Sequence, residues 1–399
     1  MLPTPEPGAE VQWVAQHLAD LCVDEVRRSG RFIGTQAAAD AALHSFDLTG
    51  YAARRNEVLP PSGRGASGLS PWIRHGLLTL PGVHSAVDGP AADLRKFRDE
   101  LRWQEYGRHL YARLGSVIGE PLRRTRVWAQ RSDAEPWDRS MRCVGVNLDE
   151  LERDGWMVNQ TRMWLASQWS VRHDADWRDG EHHFFTHLLD GSRAANRLGW
   201  QWTIGSGTGK TYGFSQQQVR RRAPELCDTC PHRNACPIRD WPDDPEFVAV
   251  GADPRLRRDA DPAGTAGPER TEHRSTPDAV WLTAESLGDD DPALAAHPLL
   301  PVVFIFDLSL LRRLRLSSKR LVFLTDRLAE LGEQRPLEVH LGDPVRVLAD
   351  RRPAATFTPV PGWRRRAGSL ELAEVHPWPW LERPGAGSVA SVSAWSNRR

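Results

Sequence analysis

At 399 residues the chain is long enough for two ordinary domains, each with its own core. Its 52 Lys plus Arg balance 52 Asp plus Glu, so net charge supplies no drive toward nucleic acid, and no apolar run approaches the ~18 residues of a membrane span. Residues 1–10 lack the basic and apolar regions of a secretory leader, and five cysteines are too few for a disulfide framework, so a soluble cytoplasmic protein with no membrane partner is expected. From Gln12 to about Phe247 the pattern predicts mostly helix. Ser67-Gly68-Leu69-Ser70-Pro71-Trp72 reads as a helix start, with Ser70 as N-cap and Pro71 in the first turn. A helix N-terminus with free N–H groups and nearby hydroxyls suits a phosphate; an ordinary capped helix is the plainer alternative. Between Asp93 and Leu114, the residues Leu94, Phe97, Leu101, Leu110 and Leu114 repeat at helical spacing, and Glu100 and Trp103 share one face of that helix.

Cys227, Cys230 and Cys236 follow as C-x2-C-x5-C-P. Thiolates so spaced can wrap one metal centre, either an iron–sulfur cluster or a zinc with His232 as the fourth ligand. Gly205 to Thr211 imitates a phosphate loop, but Ile204 stands where the motif needs glycine and no strand precedes it, so ATP binding is set aside. Gly251 to Asp278 is rich in Pro, Gly, Ala, Asp and Arg and reads as a linker. Beyond it, Ala279–Leu282, Pro301–Asp307, Leu337–Leu341 and Thr356–Val360 predict strands, and Ser317–Glu333 a helix. Strands alternating with helix suggest a small parallel sheet. The expected organisation is a helical domain over residues 1–248, a linker over 249–277, an α/β domain over 278–384 and a tail over 385–399.

The stretch Gly155-Trp156-Met157-Val158-Asn159-Gln160-Thr161-Arg162-Met163, with Asp176-Trp177-Arg178-Asp179-Gly180-Glu181, Asp190-Gly191-Ser192-Arg193-Ala194-Ala195-Asn196 and Gly199-Trp200-Gln201-Trp202, resembles the flavin-binding core of the DNA photolyase and cryptochrome family. The resemblance implies an all-helical FAD-binding domain. Tyr51, Ser67, Leu69 and Ser70 match family contacts to the cofactor, the last three around its pyrophosphate, with Ala66 where the family usually has Thr. Arg162 and Asp190 match the ion pair beside the isoalloxazine ring, a pairing a buried guanidinium needs in any case. Asn196 falls where a family residue faces flavin N5, and Ser192 replaces an aspartate that usually hydrogen-bonds the ring. Trp200, Trp177 and Trp128 match the chain that carries electrons from the surface to the flavin; large core aromatics are the alternative. The α/β part echoes the domain that opens a photolyase, through Val280-Trp281, Asp291-Pro292-Ala293-Leu294, Phe304-Ile305-Phe306-Asp307 and Gly342-Asp343-Pro344. Here it follows the flavin part, which implies a circular permutation with a Rossmann-like parallel α/β domain last. Thr283 to Ser286 replaces the family's Arg-Arg-Asp-Leu segment, so the antenna chromophore is left open.

In photolyases that split cyclobutane pyrimidine dimers, Glu100, Trp103, Asn159, Met163 and Trp202 match the lesion pocket, with Asn159 also on the flavin side. Such enzymes flip the lesion out of UV-damaged DNA. Gln104 replaces a common family Arg, and residues 1–250 hold 31 Lys plus Arg against 32 Asp plus Glu. Phosphate contacts would fall to Arg123, Arg124 and Arg126 and to the region of Lys210 and Arg220 to Arg222. The cysteine set resembles that of bacterial photolyase-like proteins with a [4Fe–4S] cluster, which supplies Cys143 as the remaining ligand. Those relatives act on 6-4 lesions and carry histidine where this chain has Asn159, so cluster and pocket point to different branches. Two functions follow: a light-driven lyase, or a blue-light photoreceptor that signals to a partner.

Overall fold

The computed structural model describes residues 1–127, 135–243 and 245–397. Helical spacing builds the first part, from Glu10–His17 to Pro224–Asp228. It is not purely helical: β1, Arg124–Arg126, pairs antiparallel with β2, Phe247–Ala249. The longest helix, Ala91–Leu114, begins two residues before its expected start and stops at Gly115, whose φ of 60° suits only glycine well. It buries Phe97, Leu101, Leu110 and Leu114, the stripe expected from sequence. Helix Arg193–Thr203 packs across it and also against Asn159–Ser167 and Trp177–His187. These four helices surround the residues on which the family resemblance rests.

The second part is a six-stranded sheet in the order β3-β8-β7-β4-β5-β6. The strands are β3 Glu272–His273, β4 Val280–Leu282, β5 Val302–Asp307, β6 Leu337–Gly342, β7 Ala354–Thr356 and β8 Glu374–His376. All pairs are parallel except β3 with β8. β4 and most of β5 are buried on both faces, as the continuous apolar runs of a covered parallel sheet require. The strand expected at Thr356–Val360 lies two residues earlier, because Pro359 has no N–H for a ladder. β3 and β8 were not expected at all.

The two parts share one continuous apolar core that runs from Trp13, Leu69 and Trp164 to Phe304 and Phe323. Leu2 N–H donates to Val339 O at 2.8 Å, and Trp13 packs on Phe306, so the first residues lie on the sheet. Polar contacts reinforce the seam. Arg74 pairs with Glu285 and donates through Nε to Gly191 O at 2.9 Å. Arg320 donates to the carbonyls of Phe185 and Gly191. The segment expected as a linker is packed rather than free. It buries Leu256 and Ala266, pairs Asp259 with Arg113 at 3.0 Å, and supplies β3. The tail also packs, with Trp395 Nε1 donating to His109 Nδ1 at 2.9 Å and Tyr106 Oη donating to Val389 O. Among the described residues no helix is long and apolar enough to cross a membrane.

Candidate functional site

Helix Arg142–Asp154 ends at Gly155, which takes the left-handed conformation at φ 68°. A Cβ there would lie 2.9 Å from Leu189 Cγ and 3.1 Å from His187 O, so glycine is required twice over. Leu189 N–H donates to Gly155 O at 2.8 Å and brings the two halves of the motif together. Arg162 then reaches Asp190 with both terminal nitrogens, at 3.1 and 2.8 Å, while its Nε donates to Met157 O at 3.0 Å. This two-pronged geometry fixes the plane of the guanidinium as well as its position.

Ser70 does not cap its helix. Ser70–Arg74 begins at Ser70 itself, Leu69 takes the cap position, and Ser70 Oγ accepts from Trp156 Nε1 at 3.0 Å. The competing indole donor explains why the hydroxyl is turned away from the backbone. Ser67 Oγ accepts from Leu69 N–H at 3.4 Å, and Leu69 is wholly buried. Arg31, unforeseen from sequence, lies 4.5 Å over the Trp156 ring. Tyr51 is buried against Phe46 and Phe97, and burial pushes its hydroxyl well above the usual phenol range. Ser192 holds the cap position of Arg193–Thr203 without a side-chain cap bond.

Asn196 is buried, and its Nδ2 has no hydrogen-bond partner among the described residues. Trp200 Nε1 and Glu181 Oε1 are in the same condition. A buried donor without a partner costs about 1–3 kcal/mol, so the unmet Asn196 amide is free to meet an acceptor on a bound group. The Asn196 amide is a donor suited to a flavin ring nitrogen, and the residue set fits FAD.

Trp200 is buried and packs edge-on against Phe184. It also covers Gly180, where an ideal Cβ would lie 2.2 Å from the indole. Trp177, Gly180 and Phe184 share one helix face, so Trp177 lies one turn from this contact. Trp128 is outside the described residues. Two tryptophans missed by the sequence reading complete a ring stack: Trp137 lies 4.6 Å from Trp169 and 5.8 Å from Phe184 between ring centroids. Trp169 also borders Gly180 and sits in a π-helical turn, Gln168–Arg172. Only the abundance of tryptophan, 17 in the chain, hinted at this.

The lesion-pocket residues form a more open surface. Trp103 and Trp202 are each 42% exposed. Glu100 is paired with Lys96 at 2.8 Å and Arg55 at 3.3 Å, two partners not foreseen. Asn159 is exposed and its amide approaches Met163 Sδ at 3.5 Å. Trp202 packs on Tyr212, which in turn meets the exposed Trp241. The expected phosphate contacts are thinned. Arg126 is paired with Asp174, Arg222 with Glu57, and Arg123 donates to Ala390 O. Lys210, Arg220 and Arg221 are exposed.

Cys143, Cys227, Cys230 and Cys236 line one recess with Met141, His232 and Ile238. None forms a disulfide, and burial together with the three neighbouring thiols raises the Cys143 thiol to about 12. His232 Nε2 is engaged by Ser140 Oγ at 2.8 Å. Cys22 is remote from this set and its thiol donates to Leu18 O.

Residues 97–225 match the family model for the FAD binding domain of DNA photolyase. The chain is 30% identical over 229 residues to a deoxyribodipyrimidine photo-lyase of Synechococcus, covering 48% of this chain and 46% of that protein. It is 30% identical over 188 residues to the enzyme of the same name from Streptomyces griseus, covering 42% and 41%. A solved bacterial class III photolyase from Agrobacterium tumefaciens shares 26% identity at a TM-score of 0.38, covering 48% and 45%. The chain thus spans less than half the length of these relatives. Its helical part is similar, over residues 97–225, to the FAD binding domain of DNA photolyase, and the chain joins it to a parallel-sheet α/β domain.

Proposed function

We propose that this protein is a blue-light-driven photolyase that binds FAD and splits cyclobutane pyrimidine dimers in UV-damaged DNA. The observation that carries this reading is the pair of solvent-facing tryptophans, Trp103 and Trp202, on two helices that pack against each other. Two solvent-facing indoles offer stacking surfaces, and stacking contributes ~1–3 kcal/mol per base on nucleic-acid platforms.

FAD, when bound and reduced, supplies an electron to the lesion under light. The chain's residues have distinct tasks around it. Arg162, held flat by Asp190, orients the ring edge, and Asn196 offers its unpaired amide. Tyr51, Ser67, Leu69 and Ser70 line the remainder of the cofactor site, with Ser192 beside the ring. Glu100 accepts a hydrogen bond from the dimer after release from Arg55 and Lys96. Asn159 and Met163 close the pocket on the flavin side. Trp200 relays electrons inward, with Trp177 and with the Trp137–Trp169 pair in reach of Phe184 and Gly180. Trp128, outside the described residues, keeps the role that the family resemblance implies.

The four-cysteine recess is assigned to a [4Fe–4S] cluster. The four thiols line one recess, their spacing resembles that of iron–sulfur photolyase-like proteins, and His232, the fourth ligand of the zinc alternative, is engaged by Ser140 Oγ at 2.8 Å. The order of the domains is read as a circular permutation, because the sheet packs against the flavin helices through one shared core and the connection runs through a packed segment.

A photoreceptor role is the second reading. It is favoured by the ion pairs that occupy Arg126 and Arg222, which leave less basic surface for phosphates. Light-dependent loss of dimers from an oligonucleotide, measured with fully reduced flavin, separates the two. Intact dimers with a photoreducible flavin would replace the lyase by the receptor and its signalling partner.

A further inference from the structure

His297, Glu374 and His376 bring one ligand atom each within 4.8 Å of one another, far from the cysteine recess in sequence and in another part of the fold. The arrangement follows from the sheet. Side chains alternate along a strand, so Glu374 and His376 leave β8 on the same face. His297 caps the helix Pro292–Ala296, which packs on β7 and β8. Glu374 Oε2 meets His297 Nε2 at 2.6 Å and His376 Nε2 at 2.9 Å. On the opposite strand His273, the register partner of Glu374, holds the other carboxylate oxygen at 2.9 Å through Nδ1. Thr271 Oγ1 lies 3.2 Å from His376 Nδ1, which orients the ring with Nε2 inward, the outer-shell support that metal-binding histidines have.

The charge balance is the second observation. Glu374 is almost fully buried, and among the described residues its ionic contacts are the three histidines, with neither a guanidinium nor an ammonium. A buried carboxylate needs a cation close by. Two imidazoles and one carboxylate meeting beside exposed His273 make a three-ligand nitrogen and oxygen set.

We propose that His297, Glu374 and His376 bind a zinc ion, with water as the fourth ligand and with His273 and Thr271 as outer-shell partners. Imidazole nitrogen and carboxylate oxygen in threes are zinc's donor set, whereas calcium and magnesium take mostly oxygen. Bound metal would fasten the end of the Pro292–Ala296 helix to β8, next to the segment that joins the two parts of the chain.

The test uses the full chain as purified, stripped with a mild chelator and titrated with Zn2+ alone, with Mg2+ alone in parallel. About one zinc per chain is expected at this site. Its affinity should fall about tenfold or more in His297→Ala and in Glu374→Gln, and should survive Cys227→Ala. Zinc-edge X-ray absorption on the wild-type protein should show imidazole nitrogen and oxygen in the first shell. A shell of sulfur alone, retention of zinc by a folded variant carrying both His297→Ala and Cys227→Ala, preference for Mg2+, or no zinc uptake by the wild type would each overturn the proposal. The absorption measurement needs no variant, so the result stands even where a substitution prevents folding.

Discussion

Around the flavin motif, buried polar atoms face nothing: Asn196 Nδ2, Trp200 Nε1 and Glu181 Oε1 have no partner among the described residues. Around β8, the buried Glu374 has gathered three imidazoles and both its oxygens are occupied. Unpartnered buried atoms also occur elsewhere, such as Ser167 Oγ and Gln168 Oε1 in the helical part and the indole nitrogens of Trp363 and Trp378 in the sheet part. The difference teaches that readiness for a ligand shows itself in two ways. A large organic cofactor leaves its wall unsatisfied, because no neighbouring side chain can replace it. A small ion leaves its ligands satisfied by one another, since imidazole and carboxylate are also good hydrogen-bond partners. Unmet atoms therefore locate the first kind of site and miss the second.

The largest effect should come from breaking the Arg162–Asp190 pair, the ordered edge of the proposed flavin site. Arg162→Ala leaves the Asp190 carboxylate, 7% exposed, without its partner. Removing one member of a buried pair costs about 3–5 kcal/mol, and the 20% exposure of Arg162 places this case toward the lower end. Denaturant unfolding of flavin-free protein measures it. Replacing both residues, Arg162→Met with Asp190→Leu, should recover most of the stability but not FAD retention. If the double variant keeps FAD, the pair is only structural and the contrast between the two regions weakens.

A smaller loss is expected from Gly180→Ala. The added methyl would meet Trp200 Cη2 at 2.2 Å and Trp169 Cδ1 at 3.1 Å, both ring atoms on rigid side chains. Overpacking of this kind costs typically about 1–3 kcal/mol. Displacing Trp200 should also slow flavin photoreduction, read from the bleaching of the oxidised flavin band under blue light. Loss of stability with unchanged photoreduction would remove Trp200 from the relay.

These two sites differ in how far the sequence discloses them. Arg162 and Asp190 are 28 residues apart, within one stretch whose residue types and spacing are distinctive. The cysteines announce themselves by local spacing. By contrast, His297 and Glu374 are 77 residues apart, and β3 and β8 have two and three residues, too short for an alternating pattern to register. Trp137 and Trp169 were invisible for another reason: a tryptophan in a relay and one in a core look alike until their neighbours are known. Arg126 and Arg222 read as phosphate contacts from sequence, and are ion-paired because Asp174 and Glu57 fold against them. The segment 251–278 looked like a linker by composition, but one leucine, Leu256, and one ion pair, Arg113 with Asp259, are enough to pack it.

Acidity should distinguish the interior of the helical part. The rings of His183 and His187 lie 4.5 Å apart, tilted to each other, on helix Trp177–His187. Burial foremost, with Arg139 and His182, lowers His183 from 6.5 to about 4. Burial, with His183 and Lys319, lowers His187 to about 3. Below 6.5 the unfolded chain takes up protons that the folded imidazoles refuse. Their contribution is therefore fully present above pH 6.5 and is lost as pH falls toward 4 and then 3. Replacing both with neutral isosteres, His183→Asn and His187→Gln, should flatten the dependence of unfolding free energy on pH between 7 and 4. An unchanged slope would show that other groups govern acid stability.

The smallest effect on folding should fall on the outward face, where the proposed function is most exposed to test. Trp103 and Trp202 are each 42% exposed and meet the rings of Tyr106 and Tyr212. Each indole is still more than half buried, so truncation to Ala should cost about 1–2 kcal/mol, below the ~3–5 kcal/mol of a fully buried tryptophan. Binding is a separate readout. If the two indoles stack on a flipped lesion, each truncation forfeits ~1–3 kcal/mol, which is a loss of about five- to 150-fold in affinity for dimer-containing DNA. Affinity for undamaged DNA should barely move, because phosphate contacts with Lys210, Arg220 and Arg221 are untouched. The flavin wall, with Asn196 and the Arg162–Asp190 pair, should also be unaffected, so FAD content serves as the internal control. Equal losses on damaged and undamaged DNA would mean that the indoles are a general docking surface. Loss of stability without loss of binding would return both tryptophans to the core.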